Sequence, residues 1–288
     1  MLIDLQLHST YSDGYLSPTE VAQFAKNNGI EVAALTDHNT VGGVHEFKKA
    51  CKKLKIKAIT GIEIYCRLNG HRFNVLWYNF DETDPRLHDL LRESQRRRRM
   101  QMRNILNRMN KNNFKIKVNK IIDKYNHYVP VNQVIDDIIA TPYNLRLIKK
   151  KLKNKNPREN DIINEFFQNQ KKLPMLRNSF IDLKRINLLR KKIGGQIILC
   201  HPAKHSYINK KRWEKFKKMG IDGVEKLSPH HSYEAIMYIQ HLASELNFIE
   251  TGGSDFHKVE GGDHPTQRSW DYFKIDSSLL KDINKIIN

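Results

Sequence analysis

Short apolar runs alternate with helix-period segments through both ends of the 288-residue chain, and five of those runs stop at a His, Asp or Glu. MLIDLQL runs into His8, EVAALT into Asp37-His38, IKAITGI into Glu63, GQIILC into His201, and FIETGGS into Asp255 and His257. Between them SPTEVAQFAKNNG and VGGVHEFKKACKKL have helix period, with Ser17-Pro18 as a start signal and Gly29 as a stop; helices are also expected over 209–219 and 232–246. Strands alternating with helices build a largely parallel sheet, either open or closed into a barrel. In a barrel the C-terminal strand ends gather on one rim, so residues far apart in sequence converge there. Any one of these histidines alone is more often a hydrogen-bonded core or surface residue than a ligand. Five strand-end placements together point to divalent metals of the Zn, Mn or Fe class.

The middle of the chain has a different composition. The whole sequence carries a net +19, yet residues 83–195 hold 28 basic and 10 acidic residues while the flanks hold 22 and 21. That segment reads as helical: Leu87, Leu90, Leu91, Met102, Ile105, Leu106 and Met109 suit one helix face, with arginines on the other. Gly194-Gly195 supplies a stop, and KKKLKNKNPREN reads as an exposed loop. The organisation expected is therefore an αβ domain over 1–82 and 195–288, split by a basic helical insertion over 83–194. Such a surface either meets a polyanion or is a solvated helical face; the near-neutral flanks favour the polyanion. The run Arg96 to Arg99 fans around a full helical turn, so only one or two of its members share a face with Arg103. Arg96, Arg99 and Arg103 are the candidates for gripping a phosphate.

Cys51, Cys66 and Cys200 are widely spaced and odd in number, which favours a reduced compartment over a disulfide scaffold. With no signal-like leader and no apolar run of membrane-spanning length, a cytoplasmic protein off the membrane is expected. A Gly-rich phosphate loop, a GxSxG elbow and a CxxC pair are all missing from the sequence, against kinase, serine-hydrolase and zinc-finger chemistry.

LQLHSTYSDG, ALTDHNT, GIEI, LCHP and TGGSDFH, in that order, resemble the five motifs of the polymerase and histidinol phosphatase (PHP) family. Within it they are most similar to the branch of 3′,5′-bisphosphate phosphatases and 5′-to-3′ exoribonucleases, which carries a helical insertion before the HP motif. The resemblance implies a distorted (β/α)7 TIM-like barrel with an inserted helical subdomain, holding two or three divalent ions, Mn, Zn or Fe. It implies a first metal site from position 6, His8, Glu63 and Asp255, and a second from Glu63, position 74 and His201. A third follows from Asp13, His38 and His257. The implied reaction is hydrolysis of phosphate esters of nucleotides or short RNA by a metal-activated hydroxide, with no obligate protein partner. His201 and His257 are then candidates for protonating the leaving oxygen.

Two positions depart from the family pattern, Gln6 and Asn74, where histidines are usual. Neutral amides bind transition metals more weakly than imidazole, so they either ligate through their carbonyl oxygens or only hold backbone and water. Asp37 either orients His38 or caps the helix that follows. Glu225 either faces the pocket or forms a salt bridge; His230 and His231 read as a surface pair, and His264 and Arg268 as phosphate contacts. Two alternatives stand beside the nucleotide phosphoesterase: a metal-poor PHP domain that binds RNA or an acidic partner without turnover, and a histidinol-phosphate-type phosphatase of small molecules.

Overall fold

The computed structural model describes residues 1–167, 179–205, 208–258 and 274–288. The chain divides into two compact units, one of 1–88 with 181–288 and the other of 89–180. The first holds the strands β1 (Leu2–Leu7), β2 (Val32–Leu35), β3 (Lys57–Leu68), β4 (His71–Tyr78), β5 (Ile181–Asp182), β6 (Gln196–Leu199), β7 (Gly223–Leu227), β8 (Ile249–Gly252) and β9 (Ile275–Asp276). Round the sheet the longer strands follow one another as β1, β2, β3, β4, β6, β7, β8, with the two-residue β9 beside β1 and β5 beside β3. Past the end of β8 the chain returns to β1, where Leu7 bridges Phe256 and His8 N donates to Phe256 O at 2.9 Å. The result is a nearly closed, distorted barrel.

Its strands are short apolar runs because most of them are covered on both faces, as β2, with every residue buried, shows. The helices between them start where the sequence supplies a cap. Helix α1 (Pro18–Asn27) opens on a capping box: Glu20 N donates to Ser17 Oγ, Ser17 N donates to Glu20 Oε2 at 2.8 Å, and Pro18 takes the first turn. Helix α2 (Val44–Leu54) buries Val44, and its Phe47, Ala50 and Cys51 join an apolar cluster with Leu7, Val21 and Leu35.

The expectation of a largely parallel sheet needs one correction. β4 runs antiparallel to both β3 and β6. Asn69 and Gly70 join β3 to β4, both with positive φ, at 49° and 80°. A two-residue turn of this kind admits only an antiparallel hairpin. For the same reason Glu63 is not at a strand end. Parallel pairing of β3 with β2 stops at Leu35–Thr60, but β3 continues to Leu68 against β4, leaving Glu63 in mid-strand at the rim.

In the second unit, α3 (Pro85–Lys111), which begins in the first, is followed by α4 (Val118–Asp123), α5 (Val131–Ile139), α6 (Pro142–Leu152) and α7 (Glu159–Ile162). Met102, Ile105, Leu106 and Met109 of α3 share one core with Ile122, Val134, Ile135, Ile138 and Ile148. The loop expected over KKKLKNKNPREN is shorter than expected. Fully buried Ile148 ties α6 into that core, so the helix runs to Leu152 before Lys153 turns left-handed. No helix among the described residues is long and apolar enough to cross a membrane.

Candidate metal centre

Glu63 is fully buried and stands at the middle of the cluster. His8 Nε2 lies 3.2 Å from its Oε2, and His201 Nε2 lies 3.3 Å from its Oε1. Asp255 Oδ1 is also 3.2 Å from His8 Nε2. On the other side of His8, Asp13 has Oδ2 3.4 Å from His38 Nε2 and Oδ1 3.3 Å from His257 Nε2. The His8 and His257 rings stack at 4.2 Å, and His38 stacks on Tyr65 at 4.6 Å. Among the described residues, three groups of donor atoms could hold an ion: His8, Asp13, His38 and His257; His8, Glu63 and Asp255; and Glu63, Cys200 and His201.

Strained backbone helps deliver these side chains. His201 and Asp255, just past β6 and β8, have φ of 25° and 52°, and Asn39, next to His38, has 51°. Asn39 is held there by its own N–H, which donates to Glu63 O at 2.8 Å, and by Tyr65 N, which donates to its Oδ1 at 3.0 Å. At Gly253 a Cβ would sit 2.5 Å from the Cβ of Gln6, so only glycine lets the chain after β8 approach β1 this closely.

Burial alone would raise the Glu63 carboxyl, but His38, His201 and His8 around it hold it well below the usual carboxylate range. Burial is likewise outweighed at Asp255 by His257, His230 and His8, and at Asp13 by His38, His257 and His8. Burial pushes His38 down to about 4, toward the neutral imidazole a cation needs. The donor set fits divalent ions on another count. Both ring nitrogens of His8 are buried without a hydrogen bond, although carboxylate oxygens flank Nε2. Carboxylates and imidazoles so arranged are what such ions require.

The two amides face the same carboxylate. Gln6 Nε2 donates to Glu63 Oε2 at 2.9 Å and Asn74 Nδ2 to Glu63 Oε1 at 2.6 Å. Asp37 neither orients His38 nor caps a helix. It accepts from Ser9 N at 2.7 Å and from the hydroxyls of Ser9 and Ser12, each at 2.6 Å. It thus braces the loop that carries Asp13. Among the described residues Glu225 forms no salt bridge; buried in β7, it accepts from His201 N at 2.7 Å, and burial with Asp255 nearby raises its carboxyl well above the usual range.

The surface pair expected at His230 and His231 is also corrected. His230 Nε2 lies 2.6 Å from Asp255 Oδ2, while His231 Nδ1 meets Lys226 O at 2.8 Å. Adjacent histidines point to different sides, and nothing in SPHHS says which one turns inward. Lys204, not singled out by the sequence, places Nζ 3.1 Å from His230 Nε2 and 3.5 Å from Asp255 Oδ2. Of the arginines, Arg99 donates to Ile122 O at 2.7 Å and to Tyr125 O, and Arg103 to Asn119 Oδ1, which ties both into the helical unit. The phosphate-gripping role expected of Arg99 and Arg103 therefore competes with these structural bonds; Arg96 is exposed. His264 and Arg268 lie outside the described residues.

Comparison with known proteins identifies the family. The PHP domain family matches residues 4–171. A 5′-3′ exoribonuclease of Haemophilus influenzae is 28% identical over 259 residues, 88% of this chain and 89% of that protein. A 3′,5′-nucleoside bisphosphate phosphatase of Chromobacterium violaceum is 35% identical over 85 residues, 30% of each. A solved structure from Bifidobacterium adolescentis, described as a candidate metal-dependent phosphoesterase, shares the fold with a TM-score of 0.74 at 18% identity, covering 96% of this chain and 97% of that one. With the family matched over more than half of its length, the chain belongs to the PHP domain family and is a metal-dependent phosphoesterase.

Proposed function

We propose that this enzyme hydrolyses phosphate esters of nucleotides or of RNA 5′ ends. The observation that carries this reading is the convergence of His8, Asp13, His38, Glu63, Asp255 and His257 on one centre. Its likeness along most of the chain to a 5′-3′ exoribonuclease supports the substrate class. Divalent ions held by these residues and His201 would activate water and neutralise charge on phosphoryl oxygens.

The protein's own groups take the remaining roles. Asp13 faces His38 and His257, and Asp255 faces His8 and His230, so carboxylate and imidazole donors stand side by side where an ion could share them. Lys204, 39% exposed, sets a positive charge at the edge of the cluster where a phosphate oxygen can reach it. His257 and His201 are the proton donors proposed for the leaving oxygen. The excess positive charge of the central segment attracts polyanions from a distance, in a salt-dependent manner.

The test is phosphate release from adenosine 3′,5′-bisphosphate and from a 5′-phosphorylated oligoribonucleotide, after loading with Mn or Zn. Glu63→Gln is expected to lower the rate on the order of 10²–10³-fold, the effect of losing several kcal/mol of charge stabilisation. Turnover of histidinol phosphate with neither nucleotide substrate hydrolysed would overturn the assignment.

A further inference from the structure

Cys200 is the one cysteine of this chain set among ionisable groups of the centre. Its Sγ lies 3.6 Å from Glu63 Oε1, 3.8 Å from Glu225 Oε2 and 3.2 Å from Gln6 Nε2. A buried free cysteine is ordinarily a small apolar filler. Cys51, packed in the apolar cluster under α1 and α2, fits that description. Cys200 also packs with apolar residues of the barrel core, but two carboxylates flank its sulfur.

The donor atoms of Glu63, Cys200 and His201 all lie within 4.8 Å of one another, and all three residues are buried. Asn74 occupies the neighbouring position with its Nδ2 donating to Glu63, so in this arrangement it presents a donor and not a lone pair. A second observation points to an ion at the same place. Gln6 is fully buried with its amide beside Cys200 and Glu63, yet its Oε1 has no hydrogen-bond partner among the described residues. Turning that amide over would place a carbonyl oxygen where Nε2 now stands, an exchange favourable only if a cation sits there.

We infer that Cys200 takes the place of the missing imidazole, and that Glu63, Cys200 and His201 form a thiolate, carboxylate and imidazole site for zinc. The inference rests on the phosphoesterase reading and gives one of its ions a chemical identity. On binding, the thiol proton leaves to solvent and the sulfur electron pair forms the bond to the ion. A sulfur donor in a three-ligand set selects zinc over manganese or magnesium, which prefer oxygen.

Cobalt(II) reports a thiolate ligand directly. The full-length protein is stripped of metal and reloaded with cobalt, and its absorption is recorded beside a metal count. A near-ultraviolet thiolate-to-cobalt charge-transfer band is expected in the unaltered protein and in Cys51→Ala. It should vanish in Cys200→Ala, which should retain one fewer zinc ion per chain. Adding Asn74→His to Cys200→Ala should restore the ion without the band. A cobalt-loaded unaltered protein lacking the band, or Cys200→Ala holding as much zinc as the unaltered chain, overturns the inference. Phosphate release measured on the same samples separates the two readings. Hydrolysis without the band sinks the cysteine site and leaves the function standing; the band without hydrolysis does the reverse.

Discussion

The carboxylate of Asp37 accepts three hydrogen bonds, one from a backbone N–H and two from hydroxyls, all between 2.6 and 2.7 Å. Its partners Ser9 and Ser12 lie in the turn between His8 and Asp13, so the side chain braces the segment that carries two candidate ligands. Asp37→Ala should cost about 3 kcal/mol, because buried hydrogen bonds to a charged group contribute roughly 1.5–3 kcal/mol each and are not additive. It should also weaken metal binding by roughly 10–100-fold, the usual effect of removing a group that orients ligands. Urea denaturation and a metal titration of the variant check both; unchanged metal affinity would show that the Ser9–Ser12 turn needs no brace. At this scale the sequence points to His8, Asp13, His38, Glu63, His201, Asp255 and His257, whose side chains lie close together, because each lies in a short motif beside an apolar run. Cys200, Lys204 and His230 were harder to see. Their meaning comes from contacts such as Cys200 with Glu63, across 137 positions of chain, and no local pattern encodes such a pairing.

Among the elements, the antiparallel turn of β4 was missed: Asn69-Gly70 is a dipeptide suited to positive φ, but the α/β rhythm on either side suggests parallel strands throughout. Helix boundaries followed their caps, as at Asn209 and Ser232, whose side chains accept from the N–H groups of Arg212 and Ala235. The arginine run on α3 was less transparent, since charge alone does not separate a structural guanidinium from a free one. Arg98 is 4% exposed, donates to Val129 O at 2.7 Å and lies 4.0 Å over the Tyr128 ring. Arg96, two positions away, is exposed. Arg98→Ala should therefore destabilise the helical unit by about 2–3 kcal/mol through the lost charged hydrogen bond and stacking, whereas Arg96→Ala should stay within about 0.5 kcal/mol. Denaturation followed by far-ultraviolet circular dichroism distinguishes them, and equal effects would mean the burial of Arg98 contributes little.

For the molecule as a whole, the division of labour between the two units can be read optically. Trp77 and Trp213, the tryptophans among the described residues, fall in the unit of 1–88 and 181–288, as do all the candidate metal ligands, whereas the backbone signal of circular dichroism comes from both units. An ion that binds only the folded barrel stabilises it by about 2.7 kcal/mol at a hundredfold excess over its Kd. For a unit of this size each kcal/mol moves the thermal midpoint by roughly 2–4 °C. Without ions, the buried carboxylates Asp13, Glu63 and Asp255 are balanced by imidazoles and by Lys204 beside Asp255, a balance that a bound cation would strengthen. Chelation should therefore lower the midpoint seen by tryptophan fluorescence by several degrees, and adding zinc or manganese should restore it. The transition of the helical unit, followed by the part of the dichroism that does not track fluorescence, should stay in place. A midpoint indifferent to chelator would mean that the buried cluster is held by its internal hydrogen bonds and not by ions.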